Sequence, residues 1–192
     1  FNSFYKALPF SLTNAQERVI KEIQDDMNKS RPMRRLVQGD VGSGKTVVAA
    51  GAMLTCAKNN FQSVLLCPTE VLAEQHFKNF SIWFASEKID IEILTGKTKK
   101  KDWERIDYDL RSGKIKILIG THSVFQKRVS MKNLSLVVVD EQQRFGVKQR
   151  FEMLQKSKEA VLPHQLFMTA TPIPRTLAMT IFADLSVSKI DE

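Results

Sequence analysis

The sequence is short of the residues that several protein classes depend on. Only two of its 192 residues are cysteine, Cys56 and Cys67, and they form neither a C-x-x-C pair nor part of a metal-ligand cluster. So few thiols exclude a disulfide framework and make a reducing compartment, the cytoplasm, the expectation. Long apolar runs are also missing. The longest apolar-leaning stretch, Val47 to Ala57, is too short for a membrane span of about 20 residues. No signal peptide is visible and Phe1 rather than Met opens the chain, so a piece of a longer protein is expected. With 43% hydrophobic and 26% charged residues the chain is not disordered, and its length suits one domain with a sizeable core.

The formal net charge is +8, but the excess is local. Residues 1–96 hold 11 basic and 10 acidic groups, residues 97–132 hold 11 and 4, and residues 133–192 hold 7 and 7. The middle segment, with Lys97, Lys99, Lys100 and Lys101 at its start, is either a solvated helix beginning or a surface that screens phosphates without sequence preference.

Short apolar runs alternate with helical segments. The strand candidates are Leu36–Gln38, Ser63–Cys67, Asp90–Leu94, Lys116–Ile119, Leu134–Val139 and Gln165–Met168. Helices are expected near 13–29, 45–58, 70–85, 98–111, 121–128, 147–157 and 174–183. Continuous runs such as Leu136-Val137-Val138-Val139 suit strands buried on both faces of a parallel sheet, and the alternation predicts an α/β fold. Thr13 with Gln16 three residues on has the form of a capping box. Trp103, Ile106 and Leu110 form one apolar stripe of the 98–111 helix. Phe77, Phe80, Trp83 and Phe84 are expected in the core, and both cysteines are expected as buried small hydrophobes. His76 and His164 have no metal-spaced partners and read as surface or packing residues.

Chemistry enters at Gly39-Asp40-Val41-Gly42-Ser43-Gly44-Lys45-Thr46, a full match to GxxxxGK[ST] between a predicted strand and a predicted helix. The glycines let backbone N–H groups curl around phosphates, and the helix N-terminus adds its positive end. Lys45 is expected to reach the terminal phosphates of a nucleotide, and the Thr46 hydroxyl to bind Mg²⁺. After Leu136–Val139 come Asp140-Glu141-Gln142-Gln143. Asp140 at the strand end suits the Mg²⁺ site. Glu141 is placed to orient or deprotonate the water attacking the γ-phosphate.

Gly39–Thr46 with Asp140-Glu141 resembles the paired motifs of superfamily 2 helicases. Leu8–Gln16, Pro68-Thr69-Glu70-Val71-Leu72-Ala73, Gly120-Thr121-His122, Asp140–Val147 and Met168–Thr176 narrow the resemblance to the branch that remodels stalled forks and migrates Holliday junctions. The match runs over essentially the whole chain.

The resemblance implies a single RecA-like P-loop NTPase lobe spanning 1–192, a mostly parallel sheet with helices on both faces. Its partners would be branched or forked DNA, held mainly by backbone contacts, and a second lobe of the same parent chain. That second lobe and an N-terminal wedge domain would lie outside this sequence. A monomer without membrane attachment is the expectation. Gln16 with Phe10 would read adenine, and Gln16 could cap its helix as well. Pro68–Glu70 and Gly120–His122 would touch DNA. Thr169-Ala170-Thr171 would couple the nucleotide site to DNA through the Asp140–Gln143 turn.

Gln143 stands where the family usually has His, which puts in question how hydrolysis is coupled to DNA contact. Arg144 and Arg175 divide evenly between coupling and plain surface charge. Without the second lobe's arginine, worth about 10³–10⁵ in rate in other phosphoryl-transfer systems, an isolated lobe would turn ATP over very slowly. A transcription-repair coupling translocase and a non-motor nucleotide switch are the alternative readings.

Overall fold

Leu136-Val137-Val138-Val139 occupies the middle of a seven-stranded sheet and is almost wholly out of solvent. The computed structural model describes residues 2–40, 42–121, 124, 129–140, 162–170, 176 and 185–191. Its strands are β1 (Arg34–Gly39), β2 (Gln62–Leu66), β3 (Asp90–Leu94), β4 (Ile115–Gly120), β5 (Leu134–Asp140), β6 (His164–Thr169) and β7 (Ser186–Ile190). They run in the order β3-β4-β2-β5-β6-β1-β7, and every described pairing is parallel. The helices are α1 (Asn2–Ala7), α2 (Asn14–Met27), α3 (Lys45–Lys58), α4 (Glu70–Trp83) and α5 (Lys100–Ser112). Among the described residues no helix is long and apolar enough to cross a membrane.

The pleat divides the core in two. Val37, Leu65, Leu136, Val138, Leu166 and Met168 point toward α1–α4, whereas Leu36, Val64, Leu66, Val137, Val139 and Phe167 share the other face with Ile106 and Leu110 of α5. Side chains alternate across a strand, so a strand buried on both faces must be apolar at every position. α5 buries Ile106 and Leu110 of the expected stripe, with Trp103 partly buried against the same cluster, and leaves its cationic start exposed. Phe80, Trp83 and Phe84 are core residues, with Phe4 of α1 packed on Phe84 at a centroid distance of 5.4 Å.

Two elements escaped the pattern reading, α1 and the edge strand β7. The expected helices near 121–128, 147–157 and 174–183 lie, apart from Thr121, Val124 and Thr176, outside the described residues. Polar anchors hold β7 in place. Arg35 Nη1 donates to Ser188 Oγ at 2.7 Å and Nη2 to Asp26 at 3.2 Å, while the Ser188 hydroxyl donates to Glu22 at 2.6 Å.

Two further anchors secure the amino-terminal ends of the strands. Gln62 is fully buried; its Nε2 donates to the carbonyls of Leu110 (2.9 Å) and Ile115 (2.8 Å), and its Oε1 accepts from Asn133 N–H (2.8 Å). Half-buried His164 accepts the Met33 N–H on Nδ1 at 2.8 Å, tying the entry of β1 to β6.

Gln62→Leu removes three hydrogen bonds at once, each contributing about 1 kcal/mol, while the Leu110 carbonyl keeps the Gly113 and Lys132 N–H groups as donors. Chemical denaturation should therefore show a loss of about 3 kcal/mol or more, and a loss below about 0.5 kcal/mol would refute the anchoring role. His164 supplies a pH dependence. Burial holds its pKa below the ordinary 6.5, against the attraction of Asp26. The neutral ring is therefore favoured by folding, so its contribution is complete above the ordinary value and is lost as pH falls from there through the lowered folded-state value. Melting temperature should drop on acidification more steeply for the natural protein than for His164→Gln; parallel curves would remove His164 from the account.

Candidate nucleotide and metal site

β1 ends at Gly39, and α3 begins at Lys45, directly after Gly44. Gly42 (φ 84°) and Gly44 (φ 83°) lie in the left-handed region that side-chain-bearing residues avoid. A Cβ at Gly44 would also run into Nε2 of Gln16. Gly44 is the N-cap of α3 and offers no side chain to its first-turn N–H groups. Those donors, with the helix dipole behind them, suit an anion. α3 itself is buried on nearly every side, which fixes the loop's exit direction.

Lys45 Nζ donates to the carbonyls of Gly39 (2.6 Å) and Asp40 (3.0 Å). Burial lowers its pKa, while the carboxylates of Asp140 and Asp40 pull the other way. Asp140 closes β5, with its side chain 13% exposed. Between these two strand ends lies β6, with Asp140 beside Met168 and Gln38 beside Thr169. Met168 and Thr169 are thus interposed between the phosphate loop and Asp140.

Gln16 is 4% exposed and engaged at both ends of its amide. Its Oε1 accepts from Thr13 N–H (2.9 Å) and Thr13 Oγ1 accepts from Gln16 N–H (3.1 Å), completing the expected capping box. Its Nε2 donates to the Ser43 carbonyl at 2.9 Å. The amide therefore spans from the cap of α2 to the phosphate loop, a connection that the capping pattern did not reveal. Phe10, 44% exposed, borders a cavity of about 460 Å³ with Tyr5, Leu8, Pro9, Ser11, Leu12 and Glu17.

The expected DNA loops reach the same edge of the sheet. Thr69 caps α4 by accepting from Leu72 N–H at 3.2 Å, and Glu70 pairs with Lys97 at 3.4 Å. Gly120 accepts from Cys67 N–H (2.8 Å), and Thr121 N–H donates to Leu94 (3.3 Å). Lys97, Lys99, Lys100 and Lys101 are exposed. Val41, His122, Glu141, Gln143, Arg144, Thr171 and Arg175 lie outside the described residues.

One site-side residue was misjudged. His76 is no surface group or packing filler: it is 6% exposed and its Nε2 lies 2.8 Å from Asp140 Oδ2. A signal was available, because Ala73, His76, Phe80 and Trp83 form the buried face of α4, and a polar ring on such a face requires a partner.

The residues present suit a nucleoside triphosphate with a hard divalent cation. The loop supplies left-handed glycines, uncapped helix N–H groups and an ammonium, and Thr46 and Asp140 offer the oxygen donors that Mg²⁺ prefers.

Curated relatives and solved structures point the same way. The chain is 52% identical over 190 residues to the ATP-dependent DNA helicase RecG of Haemophilus influenzae, covering 98% of this chain and 27% of the relative. It is 52% identical over 192 residues to RecG of Escherichia coli strain K12, covering 100% of this chain and 28% of that protein. The chain thus spans roughly a quarter of the length of the relatives it matches. The structure of RecG bound to a three-way DNA junction superposes with a TM-score of 0.83 at 43% identity, over 100% of this chain and 25% of that one. The fold is accordingly that of a RecA-like helicase lobe. A match to the DEAD/DEAH box helicase family extends over residues 13–180, taking in the phosphate loop, the strand that ends in Asp140 and the strand between them, and the chain belongs to that family.

Proposed function

We propose that this chain is the ATP-binding lobe of an ATP-dependent DNA helicase that remodels branched DNA, such as stalled forks and Holliday junctions, in recombination and repair. The observation that carries the reading is the identity of 52% to RecG across the whole chain, in a lobe whose parallel strands put Lys45 and Asp140 on one edge. Residues 1–192 act as one lobe, with a second lobe and a DNA-engaging wedge supplied by further sequence of the same cytoplasmic protein, working as a monomer.

ATP with Mg²⁺, when bound, supplies a scissile phosphoanhydride whose charge the metal neutralises. This chain's residues do the holding. The N–H groups of Gly39–Thr46 and the Lys45 ammonium cradle phosphates, and Thr46 and Asp140 are the oxygen donors for the metal. Glu141 orients the attacking water, with Gln143 in the position that the family usually gives to His. Phe10 would hold the base beside Gln16, whose amide is tied to the Ser43 carbonyl; base recognition and loop shape would thereby be linked. DNA backbone contacts fall to the loops after β2 and β4 and to the exposed lysines after β3, a salt-sensitive attraction without sequence preference.

Two substitutions in the full-length protein test this reading. Lys45→Ala should abolish nucleotide binding or hydrolysis while circular dichroism and melting stay close to those of the natural protein; retained ATPase activity would overturn the phosphate-loop assignment. Gln16→Ala removes one hydrogen bond to the loop, about 1 kcal/mol, together with half of a helix cap. It should raise the KM for ATP several-fold, by up to about tenfold, with a small fall in melting temperature. An unchanged KM would reduce Gln16 to a capping residue.

A further inference from the structure

His76 is the one buried imidazole among the described residues that touches the proposed metal site, and nothing in the hydrolytic roles above employs it. It sits on α4, 64 residues from Asp140 in sequence. Its ring centroid lies 6.4 Å from that of Phe80, one turn further along. Nε2 meets Asp140 Oδ2 at 2.8 Å, between side chains only 8% and 13% exposed. Nδ1 is buried and has no hydrogen-bond partner among the described residues. A ring placed for packing alone would be better replaced by an apolar side chain, because a buried polar atom without a partner is unfavourable. The arrangement gives up one nitrogen in order to aim the other.

Asp140 stands at the last position of β5, where the strand no longer defines its surroundings. A free carboxylate there could rotate about χ2, a broad torsion. The contact with His76 removes that freedom. It engages Oδ2, so a cation would be met by Oδ1 and the unused lone pairs. We infer that His76 is a positioning residue that fixes the orientation of the Asp140 carboxylate for Mg²⁺, acting from α4 across the carboxyl edge of the sheet. This rests on the reading of Asp140 as a metal donor. Contacts that orient metal ligands in this way typically change metal affinity by about 10–100-fold when removed.

The test uses the full-length protein and a fluorescent ATP analogue, titrated with excess EDTA and then at rising Mg²⁺, beside ATPase assays over the same Mg²⁺ range. His76→Ala should raise the Mg²⁺ needed for half-maximal binding and turnover by about tenfold or more, with metal-free nucleotide affinity unchanged. His76→Gln, whose Nε2 can donate near the position of the imidazole Nε2, should recover most of the loss. Asp140→Asn, measured alongside, addresses the underlying reading. If it leaves the Mg²⁺ requirement intact, Asp140 is not a metal donor and the inference falls with that reading. If Asp140→Asn shifts the requirement but His76→Ala does not, the positioning role alone is overturned. It is likewise overturned if both His76 variants lose metal-free and Mg²⁺-dependent affinity equally, the result expected of a purely structural contact.

Discussion

Leu36, Val37, Val137, Val138, Leu166 and Phe167 lie in three adjacent parallel strands, with helices α1–α4 on one side and α5 on the other. Burial on both faces leaves no solvated side on which polar groups could be placed, so the chemistry of β1, β5 and β6 is displaced to their ends. Because the strands are parallel, their carboxyl ends share one edge. Gly39, Asp140 and Thr169 arrive there side by side. The nucleotide site follows from that constraint: a phosphate-binding turn on one strand, a carboxylate two strands away, and a threonine between them.

The helices complete the site in different ways. α3 is surrounded by core and cannot tilt independently of the sheet. α2 is fastened to the phosphate loop through one amide, with Gln16 completing a capping box and bonding Ser43 at the same time. α4 delivers a ring from its buried face to Asp140. Three helices on the same face of the sheet therefore converge on one edge, and each is held there by packing or by a part-buried hydrogen bond rather than by a surface ion pair, which would contribute little.

Much of this was legible in the residues. The phosphate loop carries its own conformational requirements, with Gly42 and Gly44 in left-handed backbone. The strand before Asp140 announces itself because a doubly buried strand has no polar alternation. What escaped was non-local or edge-dependent. β7 reads Ser186-Val187-Ser188-Lys189-Ile190, too polar for the apolar-run criterion, because an edge strand is only half enclosed. α1 has six residues, too few for a helical period to register. The His76–Asp140 contact joins residues whose neighbourhoods in sequence have nothing in common; only the buried face of α4 hinted at it. The tie from Gln16 to Ser43 was hidden because the capping box already accounted for that glutamine.

The strand order also has a consequence for synthesis. Among the described strands β1 is made first, yet its two neighbours in the sheet are β6 and β7, the last of them. Arg18 donates to the Lys189 carbonyl at 2.8 Å, and Arg35 reaches Ser188. Both arginines must hold their place until more than 150 further residues have emerged, as the sequence separations of 171 and 153 show. A nascent chain therefore carries its phosphate loop on a strand with both edges open, the kind of edge that invites wrong pairing. The phosphate loop, carried on the first of the described strands, is therefore enclosed only once the last of them has been made.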